Sequence, residues 1–235
     1  MSLSLYTHNI IIKAIKRFGH RSKKLVDAAF SERLVERASD PYVTHIPILV
    51  GISKLYEIRT VLEIGSGENS TLTFLNPIAF PDLASLITLE NDYEWKNRVE
   101  KLIKHDPRVQ LQYISGCMSD AVSRIDINGY DMVFIDDSVS ADLRAATIRE
   151  VAKKLSQRQF MLIHDYECKE YRRAVHGLMY TFRFDSLNPN TGLAGNQSAI
   201  ERSQLKQLNK LVKKYRADIK LSDIYSWSTL FDAHL

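Results

Sequence analysis

The chain reads as an α/β fold, built on a doubly wound, mostly parallel sheet with helices on both faces. Three observations predict it. Apolar runs recur about 20 to 30 residues apart, each ending in polar groups and separated by helical patterns. The first run, at Val61, ends in two glycines one residue apart, Gly65 and Gly67, just before a helical pattern begins. The next run closes on an acid, Glu90, 23 residues beyond Gly67.

Residues 5–37 are helical in pattern, with Ile11, Ala14, Ile15 and Phe18 on one face and Lys13, Lys16 and Arg17 opposite. Asp40-Pro41 breaks that pattern, and the apolar stretch from His45 to Tyr56 leads as a helix into the first strand. Gly65 can take backbone angles closed to other residues, and Gly67 has no side chain to hold a ligand away. Asn69, Ser70 and Thr71 offer capping oxygens to the helix that starts there. Ser85–Glu90 is the second strand, 93–104 an amphipathic helix, and Val109–Ser115 the third strand with Gly116, Cys117 and Met118 at its tip. Tyr130–Asp137 and Phe160–Asp165 are the fourth and fifth strands, both ending in acids, with a helix over Arg144–Leu155 between them. A helix runs from Glu167 toward Met179, followed by an edge strand over Thr181–Asp185. Asn188–Asn196 reads as a loop of turn formers. Leu205, Leu208, Val212 and Tyr215 form the stripe of a basic helix, and the tail packs through Trp227 and Phe231. The expected organisation is one domain: a helical extension (1–44), a ligand-binding core (45–196), and a C-terminal helix and tail (197–235).

A glycine turn followed about 20 residues later by an acid at a neighbouring strand tip is placed to hold a nucleoside, with the acid on the ribose hydroxyls. The third glycine of a dinucleotide fingerprint is Ser70 here. Glu63 and Glu68 make the turn acidic, which disfavours a pyrophosphate and favours an ammonium or sulfonium ligand. Glu63-Ile-Gly-Ser-Gly67 followed by Ser70, with Glu90 beyond, resembles the S-adenosylmethionine site of the class I methyltransferases. The resemblance implies a Rossmann-like, seven-stranded sheet. It also implies cofactor contacts from Glu63, Gly65, Ser66, Gly67, Ser70, Glu90 and Asn91, from Gly116, Cys117 and Met118 near the adenine, and from Asp136.

Methyl transfer is an in-line displacement, so the remaining chemistry is positioning and activation of the acceptor. Asp136, Asp137, His164, Asp165 and Glu167 should converge on one crevice. Asp136, His164 and Asp165 are the candidate catalytic residues. Asp136 and Asp165 could instead hold Mg²⁺ or another divalent cation, or His164 could act as a general base without metal. Two neighbouring carboxylates need a cation, which must be that metal or His164. Phe134-Ile-Asp136 and Leu162-Ile-His-Asp165 are similar to the metal-bearing strand ends of the catechol O-methyltransferase-like enzymes. Tyr166 stands where those enzymes have an asparagine, and Val139 where they have a lysine. Leu89-Glu-Asn-Asp92 with Trp95, and His164-Asp165 with Glu170-Tyr171, resemble the glucuronoxylan 4-O-methyltransferases, which implies a sugar-acid acceptor and a divalent metal.

The length suits one α/β domain with modest additions. Two cysteines, too few for a disulfide framework, and the lack of any stretch long enough to span a membrane give the expectation of a soluble cytoplasmic protein. The net charge of +4 is uneven: residues 1–40 carry eight Lys/Arg against four Asp/Glu, and residues 197–220 seven against two. Such faces could meet nucleic acid or a membrane surface, but solvated helices and packing against the domain or a twin subunit are the commoner uses. The reading is an S-adenosylmethionine-dependent O-methyltransferase acting on a small molecule or sugar. The alternatives are a nucleic-acid methyltransferase, a nucleotide-sugar or NAD-binding protein, and a non-catalytic cofactor-binding protein.

Overall fold

The computed structural model describes residues 40–103, 106–196 and 201–235. The helical pattern expected over residues 5–37 lies outside them. A short 3-10 turn (Pro41–Val43) leads into α1 (Ile46–Leu55), and the chain continues through β1 (Thr60–Ile64), α2 (Ser70–Leu75), β2 (Ser85–Glu90), α3 (Tyr93–Ile103) and β3 (Val109–Tyr113). It then passes through α4 (Met118–Arg124), β4 (Met132–Ile135), α5 (Ala141–Lys154), β5 (Phe160–Ile163) and α6 (Lys169–Ala174). The hairpin β6 (Tyr180–Phe184) and β7 (Thr191–Gly195) and the helices α7 (Arg202–Tyr215) and α8 (Ile224–Asp232) complete it.

The seven strands form one sheet in the order β3-β2-β1-β4-β5-β7-β6. β1 to β5 are parallel, and β7 runs antiparallel to both of its neighbours. After β3 the chain crosses back to place β4 on the other side of β1. The connections leaving β1 and β4 therefore diverge, which opens a crevice at the carboxyl ends of the strands. In register, Ile64 of β1 pairs with both Leu89 and Ile135, so the residues just past each strand meet at that crevice.

Central strands of a parallel sheet are covered on both faces, and alternate residues go to opposite cores. Val61, Phe134 and Leu162 join α1, α2, α7 and α8 through Leu49, Phe74, Leu208, Trp227 and Phe231. Leu62, Ile64, Val133 and Ile135 join α4, α5 and α6 through Val122, Ile148, Val151 and Tyr171.

The structure changes the expected chain trace in three places. Thr191–Gly195, expected within a loop, is the fully buried strand β7. Its glycines are there for close packing rather than for a turn: a Cβ on Gly192 would stand 2.1 Å from the Tyr166 ring, and one on Gly195 would stand 2.9 Å from the Gln159 carbonyl. The helix expected from Glu167 to Met179 is confined to α6. Asn69 precedes α2 but makes no side-chain cap; its amide donates to the Tyr42 carbonyl instead.

Candidate functional site

A cleft of about 820 Å³ lies where β1, β2, β4 and β5 end. One wall is the glycine turn. Gly65 has φ +88°, and its N–H donates to the Leu89 carbonyl at 2.8 Å, which ties the start of the turn to β2. Ser66, Gly67, Glu68, Asn69 and Ser70 follow along the wall, and Trp95 and Arg98 of α3 close its far side. The Trp95 indole N–H donates to the Ser66 carbonyl at 2.6 Å, while Arg98 lies over the Trp95 ring and pairs with Glu68.

Glu90 lines the cleft and organises this wall. One carboxylate oxygen accepts from the Ser66 N–H (3.0 Å) and hydroxyl (2.9 Å), and the other from the N–H groups of Asn91 and Asp92, both at 2.8 Å. A ligand hydroxyl reaching Glu90 would replace the Ser66 hydroxyl, the one donor of the four that can rotate away.

Glu63 lies beneath the wall, fully buried and outside the cleft lining. Its two oxygens accept from the Ser70 hydroxyl at 2.5 Å and the Thr71 hydroxyl at 2.6 Å, and Thr71 in turn accepts from the Gly67 N–H at 3.1 Å. Glu63 thus holds the turn onto the first residues of α2. Burial pushes its carboxyl up to about 7, against the opposing pull of the Ser70 and Thr71 hydroxyls. Between its ordinary value of 4.5 and about 7 the folded protein holds a proton that the unfolded chain has released. Stability from this group is therefore largest below pH 4.5 and declines as pH rises through that window, by roughly 3 kcal/mol in all. In Glu63→Gln that slope should vanish, so urea midpoints of wild type and variant taken across the window should diverge. Parallel curves would show that Glu63 does not titrate there.

The other wall is a charged cluster. Asp136 and Asp137 follow β4, and His164 and Asp165 follow β5. Arg144, whose side chain is 4% exposed, reaches in from α5. Its Nη1 stands 2.9 Å from Asp136 Oδ1 and 2.9 Å from Asp165 Oδ2, and its Nε is 3.9 Å from Asp137 Oδ1. His164 Nδ1 is 3.2 Å from Asp136 Oδ2, and His164 Nε2 is 3.0 Å from the Thr44 hydroxyl. Burial raises the Asp136 carboxyl, but the hydrogen bond and charge of His164 and the charge of Arg144 outweigh it and hold Asp136 below the usual carboxylate value. Burial likewise lowers His164, but Asp136 and Asp165 lift it above 6.5. Burial holds Asp137 above the usual value although the Thr147 hydroxyl donates to it at 2.7 Å. Asp165 has φ +56°, a left-handed conformation that costs an L-residue about 1–2 kcal/mol and turns its carboxylate toward Arg144.

Ser66, Gly67, Ser70, Glu90, Asp136, His164 and Asp165 all line the cleft. Glu63, Gly65, Asn91, Gly116, Cys117 and Met118 do not; Met118 is buried in the apolar cluster beneath α4 and α5, and the Asn91 amide donates to the Gly116 carbonyl at 3.5 Å. Glu167, expected to converge on the crevice, accepts from the Asn190 N–H at 2.7 Å instead. The expected pairing of Asp136 and Asp165 around a hard cation meets a different arrangement. The guanidinium of Arg144 bridges the two carboxylates. Arg144 thus supplies a cation to these acids that the sequence reading did not consider. Tyr166 and Val139, which stand in for the asparagine and lysine of the catechol-like pattern, lie respectively against Gly192 and fully exposed on the cleft rim.

Two side chains that sequence reasoning missed are central here. Arg144 occupies the stripe Arg144-Ile148-Val151-Leu155, and a charge on the apolar side of a helix was the available signal. His45 just precedes α1, lines the cleft, and is 3% exposed, with no hydrogen-bond partner at either ring nitrogen among the described residues.

No protein-family model and no curated protein sequence matches the chain. Solved structures do. An O-methyltransferase assignment from Klebsiella pneumoniae superposes with a TM-score of 0.51 at 15% identity, over 81% of this chain and 96% of that one. Human methyltransferase-like protein 13, in complex with SAH, gives 0.50 at 14% identity over 74% and 92%. Spermidine synthase with the transition-state analogue AdoDATO gives 0.50 at 16% identity over 66% of this chain, and the match spans 61% of that enzyme. At these identities the likeness is one of fold. The strand order, the reversed β7 and the glycine turn at the carboxyl ends of the sheet give this protein the fold of the class I S-adenosylmethionine-dependent methyltransferases.

Proposed function

We propose that this protein is an S-adenosylmethionine-dependent methyltransferase acting on an oxygen of a small molecule or sugar. The observation that carries the reading is that one cleft holds both halves of such a reaction. The Ser66-Gly67 turn with Glu90 is fit to take a nucleoside, and the Asp136, His164 and Asp165 side chains stand in the same cleft, where an acceptor hydroxyl would lose its proton. The SAH bound by methyltransferase-like protein 13 on this fold supports the cofactor. The Klebsiella O-methyltransferase assignment is consistent with oxygen as acceptor. Asp136 and Asp165 are partly open to the cleft, where their oxygens can accept a hydroxyl proton. The turn and Glu90 hold the donor, and Trp95 with Arg98 lines the same cleft.

The test is calorimetry with S-adenosylhomocysteine. Wild type should bind it, and Glu90→Ala should bind more weakly by about 1.5–3 kcal/mol, the range for hydrogen bonds to a charged group. A 2′,3′-dideoxy analogue should lose a similar amount on wild type and little more on the variant. A folded wild type that does not bind S-adenosylhomocysteine would overturn the reading. Equal discrimination between the two ligands by wild type and variant would remove Glu90 as the ribose contact.

A further inference from the structure

His45 poses a problem that the cleft's other residues do not solve. Its ring is buried, and neither nitrogen has a partner among the described residues, whereas buried polar groups are normally hydrogen-bonded. It stands edge-on to the His164 ring, with centroids 4.8 Å apart, and one nitrogen of each ring and an Asp136 oxygen all lie within 4.8 Å of one another.

The hydrogen bonding around His164 sharpens this. Where the Thr44 hydroxyl donates to the Pro41 carbonyl, 3.3 Å away, it accepts from His164 Nε2 at 3.0 Å, and in that tautomer Nε2 carries the proton. The neutral ring then turns the Nδ1 lone pair toward Asp136 Oδ2 at 3.2 Å. Two lone pairs facing each other need a cation between or beside them: either a second proton on His164 or an ion. A separation of 3.2 Å suits two ligands of one tetrahedral ion, because bonds of 2.0–2.1 Å place them about 3.3 Å apart.

We propose that His45, His164 Nδ1 and Asp136 Oδ2 form a binding site for a borderline first-row divalent ion of the Zn²⁺ or Fe²⁺ class. Two imidazoles and one carboxylate select such ions over Mg²⁺, which prefers oxygen ligands. The supporting contacts fit the assignment. Nε2 of His164 holds Thr44, which fixes the ring and its tautomer, and Arg144 holds the other oxygen of Asp136 at 2.9 Å. Neither ring nitrogen of His45 has a partner among the described residues, so a lone pair is available to the ion. Three protein ligands leave a position toward the cleft. There the ion would bind an acceptor hydroxyl and lower its pKa, with Asp165 Oδ1, 3.7 Å from His164 Nδ1, beside it to accept the proton. That role for the ion, though not the site itself, rests on the methyltransferase reading.

The full chain, stripped with EDTA and dialysed, is titrated with Co²⁺ while its visible ligand-field bands are followed, and with Zn²⁺ by calorimetry. Wild type should take up one equivalent of either, and excess Mg²⁺ should not displace it. His45→Ala and the same-sized Asp136→Asn should each lose more than the roughly 10–100-fold in affinity that removal of an outer-shell partner costs. Thermal melts identify any variant that fails to fold, and a folded member of the pair is sufficient. A stripped wild type that binds neither ion would overturn the site. Variants that bind as wild type does would also overturn it. S-adenosylhomocysteine affinity, measured on the same samples, separates the two readings: metal binding without it sinks only the methyltransferase function, and the reverse sinks only the metal site.

Discussion

Replacing Arg144 with methionine should destabilise the protein by roughly 3–5 kcal/mol at neutral pH, the cost of removing one partner from a buried ion pair. The size follows from what the guanidinium does. It is nearly sealed from solvent and sits between Asp136 and Asp165 at 2.9 Å from each, with Asp137 also close. Methionine fills much of the volume but leaves the sealed Asp137 and the partly exposed Asp136 and Asp165 to repel one another without that cation. Its ring partner Tyr171, 5.4 Å from the guanidinium carbon, would lose a cationic neighbour as well. Arg144→Lys should recover part of the loss, because an ammonium keeps the charge but lacks the second nitrogen that Arg144 turns toward Asp137. Urea unfolding of the three proteins is the measurement. A loss under about 1 kcal/mol in Arg144→Met, typical of a surface pair, would show that water rather than Arg144 shields these acids.

The same residue shows where sequence reading reaches its limit. Strands β4 and β5 were legible because central parallel strands, covered on both faces, are unbroken apolar runs, as in Met132–Ile135 and Phe160–Ile163, whereas the edge strand β3 showed itself by its alternating Val109-Gln110-Leu111-Gln112. β7 was not legible. Two of its five residues are glycines, and it follows Asn188-Pro189-Asn190, so local chemistry argued for a turn while packing against Tyr166 decided for a strand. Site residues at strand tips were found by position along the chain. What each touches was not visible, because hydrogen-bond partners lie far apart in sequence: Arg144 meets Asp165, and Thr44 meets His164, 120 residues away. Glu63 illustrates the cost of this. An acid beside a glycine turn suggested an attraction for a cationic ligand, yet both of its oxygens are committed to Ser70 and Thr71. His45 carried no signal of its own, since one histidine before an apolar helix resembles any other.

Gly65→Ala should be as damaging as the loss of Arg144, for a different reason. At φ +88° an alanine bears a strain of about 1–2 kcal/mol before any contact is counted. The added Cβ would also stand 2.4 Å from the Asp136 carbonyl oxygen and 2.5 Å from the Asp137 Cα. These are backbone atoms, so no rotamer change relieves the overlap, and the ends of β1 and β4 must separate. We expect a total loss of roughly 3 kcal/mol or more, combining the strain with overpacking. Because Asp136 moves with β4 and Ser66 with β1, S-adenosylhomocysteine binding should fall together with stability. Gly67→Val supplies the contrast. A Cβ there meets only the Ser70 hydroxyl, at 2.5 Å, the end of a small side chain that can turn away at the expense of its bond to Glu63. That variant should lose about 1 kcal/mol of stability, one hydrogen bond's worth, while ligand binding is lost outright because the valine fills the wall of the cleft. Melting curves and calorimetry on the two variants separate these effects. A Gly65→Ala protein that melts as wild type does would mean that β1 and β4 are not held together at the turn, and the account of how the cleft is framed would fail.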